Sequence, residues 1–106
     1  MSSKSEKIRE AIRHAAAEFL SETSNRTSLI TVTGVQLSPK RDQATVLITV
    51  FPESKEEEAL AFAGRSGGAL RDFLSKRVSL QHVPYISFAL DLGEKNRQRI
   101  EELSKS

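Results

Sequence analysis

A chain of 106 residues with 38% hydrophobic content can close one small core, so residues 1–106 read as a single domain with its ordered part at about 5–103. The absence of cysteine excludes disulfides, thiolate nucleophiles and cysteine-ligated metals. Sixteen Lys and Arg against fourteen Asp and Glu leave a formal charge of +2, too small to name a partner by itself. The charge is unevenly spread, however. Residues 53–58 hold four Glu and one Lys, whereas residues 65–77 hold Arg65, Arg71, Lys76 and Arg77 against Asp72 alone. Such polarisation orients a domain on a polyanion, and it equally describes a solvated helix face. No apolar run approaches membrane-spanning length and residues 1–5 lack a signal-peptide core, so a cytoplasmic protein without membrane contact is expected.

In chain order, Ile8, Ile12, Ala15, Ala16, Phe19 and Leu20 form the stripe of a helix over about 5–20. Polar residues 21–28, with Asn25, mark a loop. Residues 29–37 are rich in β-branched side chains and read as a strand, in which Gly34 signals a bulge or a close approach. Residues 38–42 supply a turn with Lys40 and Arg41 at its tip. The second strand, 43–51, has Ala44, Val46, Ile48 and Val50 on one face and Thr45 and Thr49 on the other, so one side of the sheet is buried and the other partly wet. Pro52 ends it. Ser54 followed by Lys55, Glu56 and Glu57 has the capping-box pattern and predicts a helix to about residue 63. Another helix begins near Ala69 and carries Leu70, Phe73, Leu74 and Val78 on one stripe. After Pro84 a third strand, 85–90, turns Ile86, Phe88 and Leu90 inward; Gly93 breaks it, and residues 94–104 form a last short helix.

The element order α-β-β-α-(Gly kink)-α-β predicts an α+β two-layer sandwich: a three-stranded mixed sheet, helices on one face, and a right-handed crossover into the third strand. Two helices joined through a glycine-rich break before the last strand point to the KH domain, which clamps single-stranded nucleic acid with a Gly-x-x-Gly loop. Gly64-Arg65-Ser66-Gly67 has that form, and Gly68 extends it. Glycines let phosphates approach the main chain, and N–H groups at the following helix start can face them. The candidate RNA-binding residues are therefore Gly64, Arg65, Ser66, Gly67, Gly68, Arg71, Lys76 and Arg77, with Arg71 read as an exposed cation. Lys40 and Arg41 at the hairpin tip join them, and Lys4, Lys7 and Arg9 are secondary candidates. A hinge between closely packed helices is the competing explanation for the glycines.

Catalysis has little to build on. His14 and His82 are far apart, no Ser-His-Asp or Glu-x-x-His arrangement is apparent, and Glu56, Glu57 and Glu58 fan around a helix. No enzyme activity, cofactor, metal or small-molecule substrate is expected. Tyr85 and Phe51 could anchor a protein contact on the wet sheet face, but their alternate strand positions favour packing.

Beyond the glycines, the chain resembles the ribosome-binding factor A (RbfA) family over about residues 5–103. The likeness is carried by residues 29–39 (LITVTGVQLSP), by Ala44-Thr45-Val46 and Val50, and by Leu70-Arg71 with residues 74–77. Residues 83–88 (VPYISF) look like the family's Val-Pro-x-Leu-x-Phe strand, and residues 99–103 (RIEEL) like its Arg-Ile-x-x-Leu ending. The resemblance implies a type II KH-like fold. It implies a partner in the small (30S) ribosomal subunit and its 16S ribosomal RNA, a role in late maturation and rRNA processing, and an association with growth in the cold. A monomer is expected. The family's interhelical Ala-x-Gly kink aligns with Ser66-Gly67-Gly68, so Ser stands here where Ala is usual, and Arg97 stands where Gly is common. A generic KH-type single-stranded RNA-binding module with a non-ribosomal target is the alternative.

Overall fold

In the computed structural model the chain runs α1 (Lys4–Thr23), β1 (Leu29–Leu37), β2 (Gln43–Phe51), a 3₁₀ turn (Glu53–Lys55), α2 (Glu56–Arg65), α3 (Gly67–Arg77) and β3 (Tyr85–Leu90). The structure describes residues 4–23, 29–77, 82–94, 96 and 97. The sheet order is β1-β2-β3, with β1 antiparallel and β3 parallel to β2, the expected mixed sheet. Parallel pairing of β2 with β3 requires a crossover, which α2 and α3 provide.

The bulge follows from the phase of the apolar residues. In β1 they occupy Ile30 and Val32, then Val35 and Leu37, so the period of two slips by one residue. Both pairs reach the same face only if one residue is left over between them. The register does this: Val32 pairs with Ile48 and Gly34 with Leu47, leaving Thr33 extra. The Thr33 hydroxyl donates to Asp91 Oδ2 at 2.6 Å and also lies 3.3 Å from the Leu47 carbonyl oxygen. Asp91 Oδ1 accepts the Glu94 N–H at 3.0 Å and so caps a helical turn that starts at Leu92. The Thr33 hydroxyl, and after it the Glu94 N–H, hold the Asp91 carboxyl below the usual carboxylate range. Gly93 is therefore inside a helical turn, not the break before one. Most of the helix expected over 94–104 lies outside the described residues, as do Asn25 and Val78.

The core is built from Ile12, Ala15, Ala16, Phe19 and Leu20 of α1, Ala44, Val46, Ile48 and Val50 of β2, Ala59 of α2, and Leu70 and Leu74 of α3. Each large aliphatic side chain buried there contributes about 1.5–3 kcal/mol. Phe19 meets Phe73 edge to face, with ring centroids 5.7 Å apart, which ties α1 to α3. Ile86, Phe88 and Leu90 pack on the rim of this core, as their parity predicts.

Helices cover one face of the sheet. On the other, Thr45 and Ser87 hydroxyls meet at 3.2 Å across β2 and β3. Phe51 and Tyr85 also belong to that outer face, 73% and 69% exposed. The packing role expected of them is thus corrected. They have the odd parity of Thr45 and Thr49, opposite to the buried even positions of β2 and the half-buried even positions of β3.

A second correction concerns α2. Ser54 is not its N-cap: it lies in the 3₁₀ turn, which the Lys55 N–H closes onto the Pro52 carbonyl at 2.9 Å. Lys55 stands at the cap position with no side-chain cap bond, and Glu56, Glu57 and Glu58 in the first turn offset the helix dipole instead.

Candidate nucleic-acid interface

The helices flanking the glycines run further than expected, to Arg65 and from Gly67, and Ser66 alone separates them. Its φ and ψ of −91° and 0° tighten the end of α2. The Ser66 N–H is shared between the carbonyls of Phe62 (3.2 Å) and Ala63 (3.0 Å), and its hydroxyl donates to the Phe62 carbonyl at 2.9 Å. Its own carbonyl accepts the Leu70 N–H at 2.8 Å, starting the ladder of α3. The joint is thus a one-residue bend pinned by serine, rather than an unwound glycine loop. No glycine in it has positive φ.

Glycine serves two different ends here. Gly67 is buried, and a Cβ on it would stand 3.2 Å from the Ile86 carbonyl oxygen, so its bareness lets α3 sit on β3. Gly64 and Gly68 are exposed, and a Cβ on either would meet nothing within 4 Å. Neither internal packing nor backbone conformation calls for glycine at these two positions, although each costs its helix up to about 1 kcal/mol relative to alanine.

The predicted cations divide into two groups. Arg65, exposed in the last turn of α2, stands beside the joint. Arg71, one turn into α3, is half-buried, which corrects its reading as an exposed cation. Its guanidinium donates to the carbonyls of Val83 (2.9 Å) and Pro84 (3.1 Å) and lies 4.7 Å from the centroid of the Tyr85 ring. Lys76 and Arg77 end α3, about 15 Å from Gly67 at the rise of a helix. Lys76 pairs with Asp72 at 3.4 Å, while Arg77 binds both carboxylate oxygens of Glu18 (2.6 and 3.0 Å) and covers the Phe73 ring at 4.8 Å. Arg77 is therefore committed to joining α1 and α3, and neither residue reaches the joint.

Lys40 and Arg41 are brought to the joint's end of the sheet. The Tyr85 N–H donates to the Asp42 carbonyl at 2.9 Å, so the hairpin tip abuts the start of β3, against which Gly67 also packs. Arg41 holds φ at 60°, a left-handed conformation that glycine or asparagine adopts more easily. Ser38 fixes this tip: its oxygen accepts the N–H groups of Asp42 (3.2 Å) and Gln43 (3.1 Å) while its hydroxyl donates to Asp42 Oδ1 at 2.7 Å. The secondary candidates Lys4, Lys7 and Arg9 lie in the opening turns of α1, whose contacts with α3 through Phe19 and Glu18 are at the end remote from the joint.

Gly64, Arg65 and Gly68 thus form one exposed surface over half-buried Ser66 and buried Gly67, flanked by Arg71, and the turn that carries Lys40 and Arg41 meets the start of the strand on which Gly67 packs. The acidic start of α2 is held about 14 Å away, at the other end of that helix. The leading N–H groups of α3 carry the positive end of its dipole. The combination suits a chain of phosphates that lies against bare main chain. Sequence reasoning raised Tyr85 as a contact on the wet sheet face but favoured a packing role, although its parity with respect to Ile86 and Phe88 signals an outward side chain.

The family model described as "Ribosome-binding factor A" matches residues 4–104. Ribosome-binding factor A of Desulforamulus reducens is 28% identical over 97% of this chain and 88% of its own length, and that of Magnetococcus marinus is 31% identical over 97% and 87%. The crystal structure of ribosome-binding factor A from Thermus thermophilus superposes with a TM-score of 0.73 at 27% identity, over 84% of this chain and 97% of that one. A homology model of the Thermus thermophilus factor, as fitted into the cryo-EM map of a 30S–RbfA complex, superposes at 0.67 with 28% identity, over 76% of this chain and 88% of that one.

Proposed function

The chain belongs to the ribosome-binding factor A family, and from that membership we propose that it binds the small ribosomal subunit through 16S ribosomal RNA during late maturation and rRNA processing. In this reading it acts in the cytoplasm as a non-catalytic monomer, and its contact surface is the joint between α2 and α3. The relative fitted into the map of a 30S complex supports the choice of partner.

The observation that carries the contact surface is the pair of exposed glycines. Gly64 and Gly68 weaken their helices with no internal return, since a Cβ would fit at both. A partner that must come within van der Waals distance of the main chain supplies the reason. A phosphate backbone has the charge to match Arg65, Lys40 and Arg41 and the shape to lie along a bare helix joint. Ser66, pinned through both its N–H and its hydroxyl, favours a fixed contact surface over a loose hinge.

Sedimentation of the purified protein with free small subunits tests this reading. Co-migration with the subunit that is lost as salt rises is the expected result. Protein that stays at the top of the gradient even at low salt contradicts it. Binding to unstructured RNA without subunit binding favours a generic RNA module instead.

A further inference from the structure

We propose that Tyr85, backed by Arg71, is a stacking platform for one unpaired base of the bound RNA. The proposal rests on the RNA-binding reading above and adds to it a site outside the glycine joint.

Tyr85 is 69% exposed although it opens a strand, and its ring is not free to wander. Its backbone is fixed by the N–H bond to the Asp42 carbonyl at 2.9 Å and by pairing with Gln43. The Arg71 guanidinium lies 4.7 Å from the ring centroid, and two bonds to the Val83 and Pro84 carbonyls hold that guanidinium in place. Moving the arginine off the ring forfeits both bonds. The tyrosine is therefore a preset flat surface with a cation behind it, and little side-chain freedom remains to be lost on binding.

Its position suits a nucleotide. The ring opens on the outer face of the sheet, but Arg71, one turn into α3 from the joint, reaches round to it, and Gly67 packs on the carbonyl of the adjacent Ile86, so a strand whose phosphates lie on the joint has a base within reach of the ring. Unpaired bases are held by stacking on aromatic rings or guanidinium planes, and this pair offers both. Charge favours RNA over a protein partner. Lys40 and Arg41 belong to the turn whose Asp42 carbonyl binds the Tyr85 N–H, Arg65 ends α2 beside the joint, the Asp42 carboxylate is turned onto the Ser38 hydroxyl at 2.7 Å, and the glutamates of α2 begin at that helix's opposite end.

The test uses a property of the chain itself: Tyr85 is the sole tyrosine and there is no tryptophan, so ultraviolet emission reports on this ring alone. Full-length protein is titrated with a short unstructured RNA and, separately, with the same RNA in duplex form. Quenching by the single strand is expected, and much less by the duplex. Tyr85→Phe should bind within about twofold of the parent, whereas Tyr85→Ala should bind about 5- to 150-fold more weakly with an unchanged salt slope, because stacking is lost and no phosphate contact is. Unaltered emission on binding, or equal affinity of Tyr85→Ala, overturns the platform while leaving RNA binding intact. Failure of the parent protein to bind RNA at all overturns both. Loss of subunit binding by Tyr85→Ala with full affinity for RNA assigns the ring to a protein contact and also overturns the proposal.

Discussion

Replacing both exposed glycines by alanine should make the protein more stable and its RNA contact worse. A Cβ on Gly64 or Gly68 meets nothing within 4 Å, and neither residue has positive φ, so alanine enters without strain. The gain in a helix interior is up to about 1 kcal/mol per site, partly through a less free unfolded chain. Both sites lie within two residues of a helix end, where the lower half of that range applies. Gly64→Ala with Gly68→Ala should therefore stabilise by about 1 kcal/mol in total, raising Tm by about 4–8 °C for a domain of this size. Gly67→Ala is the contrast. Its Cβ would press at 3.2 Å on the Ile86 carbonyl, which belongs to a paired strand, and overpacking of this kind costs about 1–3 kcal/mol, more than alanine returns. Thermal and urea denaturation followed by circular dichroism measure all three variants, and RNA titration measures the partner's view of the same methyl groups. A double variant that is more stable and binds RNA as tightly as the parent refutes the argument that these glycines serve close approach. One that is less stable refutes the reading of their surroundings.

Arg71→Ala leaves the Val83 and Pro84 carbonyls without their donor and should cost about 1–3 kcal/mol in urea denaturation, with Arg71→Lys recovering only part because an ammonium lacks the planar fork. Arg65→Ala should lower the slope of log affinity against log salt by about 0.7 on single-stranded RNA, and an unchanged slope removes Arg65 from the phosphate contacts. The Asp91 carboxyl, held below its ordinary value first by the Thr33 hydroxyl, adds stability that is present above the unfolded pKa and fades as pH falls through the folded one. Thr33→Ala should raise the Asp91 pKa in a carboxyl-carbon NMR titration, and Asp91→Asn should weaken the fold at neutral pH while blunting its loss of stability below about pH 4. Arg41→Gly should hold or raise stability by up to about 1 kcal/mol, since φ of 60° no longer meets a Cβ, yet weaken RNA binding; a loss of stability contradicts the turn's geometry.

The strands and their faces were legible because period-two patterns leave few choices. Even the bulge can be read from the slip between Val32 and Val35, with Gly34 beside it. The joint was harder. Three glycines suggest an open loop, but Ser66 supplies enough hydrogen bonds to keep both helices wound, and that competition does not show in composition. Arg71 looked like a free cation because its acceptors are main-chain carbonyls twelve and thirteen residues further on, which no side-chain pattern reveals. Arg77 was misplaced for a similar reason, since its partner Glu18 lies on another helix. The capping box at Ser54 failed because a 3₁₀ turn after Pro52 used the serine before α2 began. Tyr85 was readable and misjudged: strand parity already turned it away from Ile86 and Phe88.

Amide NMR spectra of the full chain, recorded as a small-subunit RNA fragment is added, put the contact surface to the most direct trial. Shifts concentrated at Gly64, Arg65, Gly67 and Gly68, with smaller ones at the 38–42 turn, are the predicted result. Shifts confined to the opening turns of α1 or to Lys76 and Arg77, with the four joint amides unmoved, would contradict it.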